Sequence, residues 1–214
     1  MKFILLALFV ATSLAASYGV DVYSALSVDT MVCLCEKGFS NFFIFRAWRS
    51  VGKFDTAAPT NYKNAKETGW STKNLYAYFY PCYSCGNAGG QVSTFWSEVQ
   101  SNKMELGKVF FDIEGSWSSS TSSNKKFFEA LITKQRELGF SAGIYSSYYQ
   151  WENIFGLSYK FQYASEYPMW YAHYDNVKSF SDFDAFGGWS SPYMKQYAGD
   201  VTACSTDVDY NYRA

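Results

Sequence analysis

Two acids lie two positions apart at the end of an apolar stretch, in the segment KVFFDIEGSW (residues 108–117). The run before them is typical of a buried strand, in which residues i and i+2 point to the same side with Cα atoms about 6.6 Å apart. Asp112 and Glu114 are therefore predicted to face the same way. No basic residue follows Lys108 in this segment, and burying unpaired charge is costly. The pair therefore indicates chemistry rather than packing.

Further acids stand in the first and last predicted strands. Asp21 lies in GVDVY, and Asp207 and Asp209 lie in DVDYNY. Any one of these aspartates is more often a cap, a turn former or half of an ion pair, so the argument depends on the set. Acids crowded into a partly desolvated site cannot all ionise easily, so one keeps its proton while another stays anionic. Glycoside hydrolysis needs this combination, a protonated carboxyl for the leaving oxygen and an ionised one for the developing positive charge.

The elements that must position these acids are short apolar runs separated by helical segments. Several runs are continuously apolar, as expected for parallel strands covered on both faces. Apolar residues recur at helical spacing over 92–103 and 123–138, the second with Ser123 as N-cap and a stop before Gly139. Eight strands are predicted, at residues 18–24, 41–48, 74–80, 108–115, 141–147, 169–174, 193–198 and 207–212.

Eight strands joined by crossovers predict an α/β fold, a modified (β/α)8 TIM-like barrel in a single domain. Catalytic groups of such barrels lie at the C-terminal ends of the strands, where these acids are found. First and last strands become neighbours when a barrel closes, which brings Asp21 towards Asp209. The links between the sixth and eighth strands are rich in Gly, Ser and Asp, so the helical layer is expected to be incomplete near the C-terminus.

Composition and targeting signals limit the possible environments. The chain has 214 residues, of which 48% are hydrophobic and 17% charged, which suits one globular domain at residues 17–214. Residues 1–16 (MKFILLALFVATSLAA) are predicted to be a signal peptide, too short to anchor the chain in a membrane. The expected location is secreted, extracellular or in the lysosomal lumen. Without Lys2 there remain 17 basic and 19 acidic residues, a charge of −2 that argues against nucleic-acid binding. A monomer is expected.

Five cysteines lie in the predicted exported part. Oxidising conditions favour disulfides there, so Cys82 and Cys85 are predicted to pair. Cys204 is expected to join either Cys33 or Cys35, which leaves one thiol over. The chain has a single histidine, His173, so neither a metal site nor a cofactor is predicted.

An ordered set of motifs resembles a known family. GVDVY, YAYFYP, FFDIE, GIYSS, MWYAHY, KQY and VDYN follow one another between residues 19 and 211. They resemble the Chalaropsis-type lysozymes, glycoside hydrolase family 25, and among these the protist and nematode branch. The resemblance covers nearly the whole predicted mature chain. It implies a modified β/α barrel that cleaves the β-1,4 bond between N-acetylmuramic acid and N-acetylglucosamine in peptidoglycan.

The resemblance also implies roles for individual residues. Glu114 would be the general acid, and Asp112 its partner, orienting the substrate's acetamido group or stabilising the intermediate. Asp21 and Asp209 would complete an acidic floor. A retaining route assisted by the acetamido oxygen is implied, although strand spacing alone leaves retention and inversion open. Four further positions would line the groove, namely Tyr78, Tyr145, Trp170 and Gln196.

Two alternatives and several secondary candidates accompany this hypothesis. A family-18-type chitinase also carries acids on a barrel strand, but its D-x-x-D-x-D-x-E motif has Gly107 and Phe110 in place of aspartates here. A non-catalytic sugar-binding protein would usually have lost one of the acids. Residues 46–49 (RAWR) stand where the family often has an acidic or Thr-rich stretch, and so could alter one end of the groove. Trp117, Trp170 and Trp189 are candidate sugar platforms, and His173 either bonds substrate or is satisfied within the protein.

Overall fold

The computed structural model describes residues 16–214 and contains one sheet that closes on itself. The strands are β1 (Ser17–Val22), β2 (Phe42–Arg49), β3 (Lys53–Phe54), β4 (Leu75–Phe79), β5 (Lys108–Asp112), β6 (Ala142–Ser146), β7 (Met169–Ala172), β8 (Met194–Ala203) and β9 (Thr206–Arg213). The helices are α1 (Val28–Glu36), α2 (Ala58–Thr68), α3 (Ala88–Ser101), α4 (Thr121–Leu138) and α5 (Tyr148–Phe155).

Eight of the strands form a closed barrel. β1 pairs in parallel with β2 on one side and antiparallel with β9 on the other, so the first and last strands are neighbours as predicted. β2, β4, β5, β6, β7 and β8 follow in order, each parallel to the next. The two-residue β3 lies antiparallel to β2 outside this ring. The α/β, TIM-like barrel expected from the sequence is confirmed.

The eighth barrel strand differs from the expectation of crossover connections throughout. β8 continues to Ala203 rather than stopping at residue 198, and β9 begins at Thr206, so only two residues separate them. A parallel connection needs a dozen residues or more, so β9 returns antiparallel as the second arm of a hairpin. Asp209 therefore reaches the barrel mouth from the N-terminal half of its strand.

Strand alternation separates two apolar layers. On β2, Phe42 and Ile44 point into the barrel, whereas Phe43 and Phe45 pack outward against the helices. The interior cluster is small and largely aromatic, comprising Phe42, Ile44, Tyr76, Phe110, Tyr145, Trp170 and Met194. These side chains fill the lower barrel and so form a rigid floor beneath its mouth.

Both predicted helices are present and the helical layer is incomplete where this was expected, but the first and last residues of the helices differ from the prediction. Helix α4 is capped by Ser120 rather than Ser123, with the Ser120 hydroxyl accepting the Ser123 amide, and it ends at Gly139 in the left-handed conformation as predicted. Helix α3 covers 88–101 rather than 92–103. Residues 173–193 contain no helix, which confirms the incomplete layer near the C-terminus.

Two disulfides join the described cysteines. Cys33 bonds to Cys204, which settles the alternative left by the sequence, and Cys82 bonds to Cys85. Cys35 keeps a free thiol. The first link ties α1 to the hairpin between β8 and β9. Residues 1–15 of the predicted signal peptide lie outside the described part of the chain. Within that part, no helix has the length and apolarity that a membrane crossing requires.

Candidate active site

The inward-facing positions of successive strands continue upward into the barrel mouth. On β5 the buried Phe110 is followed on the same side by Asp112, and on β4 Tyr76 is followed by Tyr78. All eight residues predicted for the site meet there, around a cleft of about 170 Å³. The predicted members are Asp21, Tyr78, Asp112, Glu114, Tyr145, Trp170, Gln196 and Asp209, joined by Arg46, Tyr80 and Tyr174.

Gln196 connects two of the acids. Its Nε2 donates to Asp21 Oδ1 at 2.8 Å and to Asp209 Oδ2 at 2.9 Å. Its Oε1 accepts hydrogen bonds from the hydroxyls of Tyr145 at 2.6 Å and Tyr174 at 2.8 Å. Two phenol donors on one side fix the amide so that its nitrogen faces the carboxylates. The glutamine therefore holds the acidic floor in one geometry.

Asn211 and Trp170 support the same floor from below. The Nδ2 of Asn211 donates to Asp21 Oδ1 at 2.7 Å, and the Nε1 of Trp170 donates to Asn211 Oδ1 at 2.8 Å. Burial and the neighbouring Asp209 raise the pKa of Asp21 well above its usual range, and the amide donors only partly oppose that rise. Asp21 thus lies in a cleft that disfavours its charge while supplying hydrogen bonds to its anion.

Asp112 carries a buried carboxylate oxygen that the described part of the protein does not bond. The side chain is buried, and its Oδ1 has no hydrogen-bond partner among the described residues. Burial, followed by the charges of Glu114 and Asp21, raises the pKa of Asp112 well above normal, against a smaller opposing effect of Arg46. A buried acceptor without a donor is costly, and such atoms in native proteins commonly serve function. Asp112 lines the acidic cleft, from which a substrate N–H could bond this oxygen.

Glu114 lies beyond the end of its strand rather than within it. β5 ends at Asp112, so the predicted strand over 108–115 was too long by three residues. The Glu114 carbonyl accepts a hydrogen bond from Trp117 Nε1 at 3.0 Å, and the next amide, Gly115, donates to Gln150 Oε1 at 3.1 Å. Burial and then the charge of Asp209 raise the pKa of the Glu114 carboxyl. It therefore retains its proton to a higher pH than an exposed glutamate, as a general acid requires.

The turn that presents Glu114 depends on glycine. Gly115 has a φ of +75°, a conformation that side chains rarely adopt. A Cβ built at this position would lie 2.3 Å from the hydroxyl of Tyr80, which also lines the cleft. Only glycine lets the chain turn here while Tyr80 stays beside the acids.

A second cavity of about 450 Å³ continues from the acidic cleft over β6 and β7. The two spaces share Glu114, Tyr145 and Tyr174 in their walls. Glu114 thus stands at the junction of the two spaces, whereas Arg46 lines only the acidic cleft. Tyrosines 148 and 149 line the larger space, and Tyr149 is 67% exposed. Two adjoining spaces that meet at an acid can hold sugar units on both sides of it.

Comparisons with known proteins identify the family. A family model described as Lysozyme-like protein 1 matches residues 12–197. A Dictyostelium discoideum protein named "Probable GH family 25 lysozyme 5" is 39% identical over 220 residues, which covers 99% of each chain. The chain belongs to the glycoside hydrolase family 25 lysozymes. It is therefore a glycoside hydrolase of the lysozyme type, and the alternative of a non-catalytic sugar-binding protein is set aside.

Solved structures show the same fold at low sequence identity. A family 25 lysozyme from Aspergillus fumigatus superposes with a TM-score of 0.73 at 15% identity, covering 94% of each chain. The modular Cpl-1 endolysin, solved in complex with a peptidoglycan analogue, gives 0.65 at 17% identity, covering 92% of this chain and 54% of its own. Both similarities support the barrel expected of a family 25 lysozyme.

Two of the three tryptophans expected to be sugar platforms are buried, and the third, Trp117, is half-buried. Trp170 is only 2% exposed and belongs to the largely aromatic cluster inside the barrel. Trp189 is buried against Trp151 and donates to the Tyr167 carbonyl, while Trp117 packs between Tyr83, Phe127 and Phe155. Exposed rings along the groove of this lysozyme are tyrosines instead, Tyr148, Tyr149 and Tyr174.

His173 lies in the larger cavity and is also satisfied by the protein. Its Nδ1 is 2.5 Å from Asp182 Oδ2, and Asp175 is close by, so the three residues have the composition of a cation site. The buried ammonium of Lys195 already lies 2.8 Å from Asp175 and 3.0 Å from Asp182. Partial burial alone would raise the pKa of Asp182, but hydrogen bonds from His173, Lys195 and Tyr171 lower it to about 2. Lysine is thus the cation of this cluster.

Three residues of the site were missed in the sequence. Tyr80 follows Tyr78 at i+2, and Asn211 follows Asp209 at i+2, so alternation along each strand would have found both. Tyr174 lies two positions beyond the end of β7, but the predicted strand reached residue 174, so the same alternation starting from Trp170 would have included it.

Proposed function

We propose that this family 25 lysozyme is a secreted enzyme that cleaves the β-1,4 bond between N-acetylmuramic acid and N-acetylglucosamine in bacterial peptidoglycan, in defence or digestion. The observation that carries the proposal is the junction at Glu114, where a carboxyl with a raised pKa stands beside the buried acceptor Asp112. The two disulfides agree with an oxidising compartment, and the predicted signal peptide with export. We expect a monomer that acts outside the cell or in a lysosome.

The acids divide the reaction between them. Glu114 gives its proton to the glycosidic oxygen, the bond from that oxygen to C1 breaks, and the acetamido oxygen of the same sugar bonds C1. The acetamido N–H donates to Asp112 Oδ1, which aligns the group and offsets the positive charge that develops on it. Water then attacks C1, the bond from C1 to the acetamido oxygen breaks, and a proton of the water passes to Glu114. The configuration at C1 is retained.

Asp21 and Asp209 support this sequence through charge. Their carboxylates, held by Gln196, face the same cleft and favour the oxocarbenium-like transition state. The charge of Asp209 also contributes to the raised pKa of Glu114. Asp209 thus favours the protonated general acid, and both carboxylates stabilise positive charge at C1.

The cleaved bond can be identified from the reaction products. Purified protein is incubated with peptidoglycan, the soluble fragments are reduced with borohydride, and their new ends are analysed by mass spectrometry. Cleavage of the proposed bond produces reduced muramic acid. Reduced glucosamine ends would instead indicate the other β-1,4 bond, and release from chitin oligomers alone would favour the chitinase alternative. Proton NMR of unreduced products would show the β anomer first if configuration is retained.

A further inference from the structure

Arg46 is a cation in an acidic cleft. It follows Phe42 and Ile44 on the inward side of β2 and pairs with Tyr78 of β4 at the barrel mouth. Among the described residues that line the two cavities, it is the single lysine or arginine. Its charge reaches the chemistry, because it counts among the groups that act on Asp112.

The neighbouring Asp55 orients Arg46 but leaves some hydrogen-bond donors of the guanidinium unused. The Nε donates to Asp55 Oδ2 at 2.6 Å, and Asp55 is itself buried and accepts the Ala57 amide at 3.0 Å. The Nη2 makes only a 3.5 Å contact with the Tyr23 carbonyl, and no described residue accepts from Nη1. A guanidinium has five donors in a fixed fork. The outer edge of this one remains available to a ligand.

The substrate class makes an anion the natural partner. Muramic acid differs from glucosamine by a lactyl ether at O3, which ends in a carboxylate when bare and in an amide when it carries a stem peptide. The stem peptide brings carboxylates of its own. A cleft lined by four acids repels such groups, whereas a guanidinium held in place by Asp55 can bind a carboxylate with two parallel hydrogen bonds.

We propose that Arg46 binds a carboxylate of the muramyl unit and thereby makes the groove select muramyl-containing glycan over uncharged N-acetylglucosamine polymers. This inference rests on the proposed function and adds a specificity-determining residue to it. If the carboxylate is the lactyl one, the preferred substrate is the product of an amide hydrolysis that removes the stem peptide. Asp55 is then a positioning residue that acts through Arg46.

Binding to a catalytically silenced protein tests the proposal apart from turnover. Glu114→Gln serves as the background, and dissociation constants are measured by calorimetry for three tetrasaccharides. One contains only N-acetylglucosamine, one is the bare alternating muramyl glycan, and one is the same glycan with stem peptides. Arg46→Met removes the charge and keeps an apolar stem. Arg49→Met is the matched control, because Arg49 lies on the same strand, is exposed and does not line the cleft.

We expect Arg46→Met to weaken binding of a carboxylate-bearing glycan by about 10- to 100-fold, as for loss of charge-assisted hydrogen bonds. Binding of the uncharged tetramer should change by less than about twofold, and Arg49→Met should change nothing. If Arg46→Met weakens binding of the bare glycan alone, the partner is the lactyl carboxylate. If it weakens binding of the peptide-bearing glycan alone, the partner is a stem-peptide carboxylate. Equal losses on all three ligands, or no loss, would overturn the proposal.

Salt dependence gives a second measurement that needs no Arg46 variant. In the Glu114→Gln protein, added salt should weaken binding of the carboxylate-bearing glycan relative to the uncharged tetramer, because it screens the attraction to Arg46. If added salt strengthened binding of the carboxylate-bearing glycan relative to the uncharged tetramer, or left it unchanged, repulsion by the acids would outweigh attraction to Arg46. That result would refute the inference. If wild-type protein released no muramyl ends from peptidoglycan, the proposed function itself would fail, which is a separate outcome.

Discussion

Asp21 and Asp209 share one amide group, since the Nε2 of Gln196 lies 2.8 Å from the first carboxylate and 2.9 Å from the second. The two acids are direct neighbours across the antiparallel pair of β1 and β9. Without a donor between them, two such carboxylates would repel each other and one would remain protonated. The geometry of the acidic floor therefore depends on a side chain that is not an acid.

Removing that amide should destabilise the protein most at neutral pH. The hydrogen bond from Gln196 favours the ionised form of Asp21, whose pKa burial and Asp209 raise. Gln196→Leu should lower Tm by about 3–8 °C at pH 7, as expected for loss of hydrogen bonds to a charged group. The loss should shrink at pH 4, where Asp21 carries its proton. Tyr174→Phe, which removes only one donor to Gln196, is the control in the same calorimetric scans and should have a smaller effect.

The ionised form of Asp112 should destabilise the folded protein. The pKa of Asp112 in the folded protein lies above that of an unfolded aspartate. Protonation of Asp112 therefore favours the folded state, and this contribution to the free energy of unfolding is fully present below the unfolded pKa. That contribution is lost as the pH rises through the folded pKa. Asp112→Asn should therefore raise Tm by about 2–4 °C at pH 7 and by less at pH 4. An unchanged or lower Tm at pH 7 would contradict the assignment.

A second buried aspartate, Asp55, serves as a matched control for Asp112. Asp55 is also buried, but its carboxylate pairs with Arg46 at 2.6 Å. Asp55→Asn should therefore lower Tm at pH 7, the opposite direction to Asp112→Asn. The two variants remove the same charge, so the contrast isolates the effect of having a partner.

The pH profile of hydrolysis should have its optimum on the mildly acidic side. Burial and Asp209 raise the pKa of Glu114, so the general acid keeps its proton above the usual range of a glutamate. Activity should fall at higher pH as Glu114 ionises and at lower pH as the remaining carboxylates are protonated. Asp209→Asn should shift the alkaline limb to lower pH, because it removes a charge that raises that pKa. An optimum above neutrality would contradict this account, as would an alkaline limb that Asp209→Asn leaves in place.

Lys195 should be structurally important beside the larger cavity. Its ammonium is fully buried and contacts Asp175 and Asp182, which are themselves partly exposed. Lys195→Met leaves two neighbouring carboxylates without their cation, and we expect Tm to fall by roughly 4–8 °C. The pKa of Asp182 should rise from about 2, which carboxyl NMR would detect. Lys134→Met breaks an exposed pair with Glu137 and should change Tm little.

Alternation along strands explains why so much of the site could be predicted. Asp112 stands two positions after Phe110, and Asp21 two after Gly19, so each acid falls on the inward side of its strand. The barrel then brings the strand ends to one mouth, and all eight predicted residues line the same cleft. Their roles in the reaction stay predictions, since the geometry shows proximity and not turnover.

Other features depend on contacts that no local pattern reports. Gly199 and Asp200 interrupt an apolar run and indicate a loop, yet β8 continues through them because β9 pairs along its edge. Trp170 and Trp189 look like exposed platforms beside strand ends, but both are buried. Arg46 lies on an apolar strand, and which side of that strand faces the barrel interior becomes clear only from the closed barrel.

The most direct test of the account is the activity of Glu114→Gln beside wild type in a peptidoglycan turbidity assay at mildly acidic pH. Glutamine keeps the shape of the side chain and cannot give up a proton as a carboxylic acid does. The account predicts clearing by wild type and a fall in rate of about 10²- to 10⁴-fold for the variant, with an unchanged circular dichroism spectrum and Tm no lower. A correctly folded Glu114→Gln protein that clears peptidoglycan at the wild-type rate would contradict it.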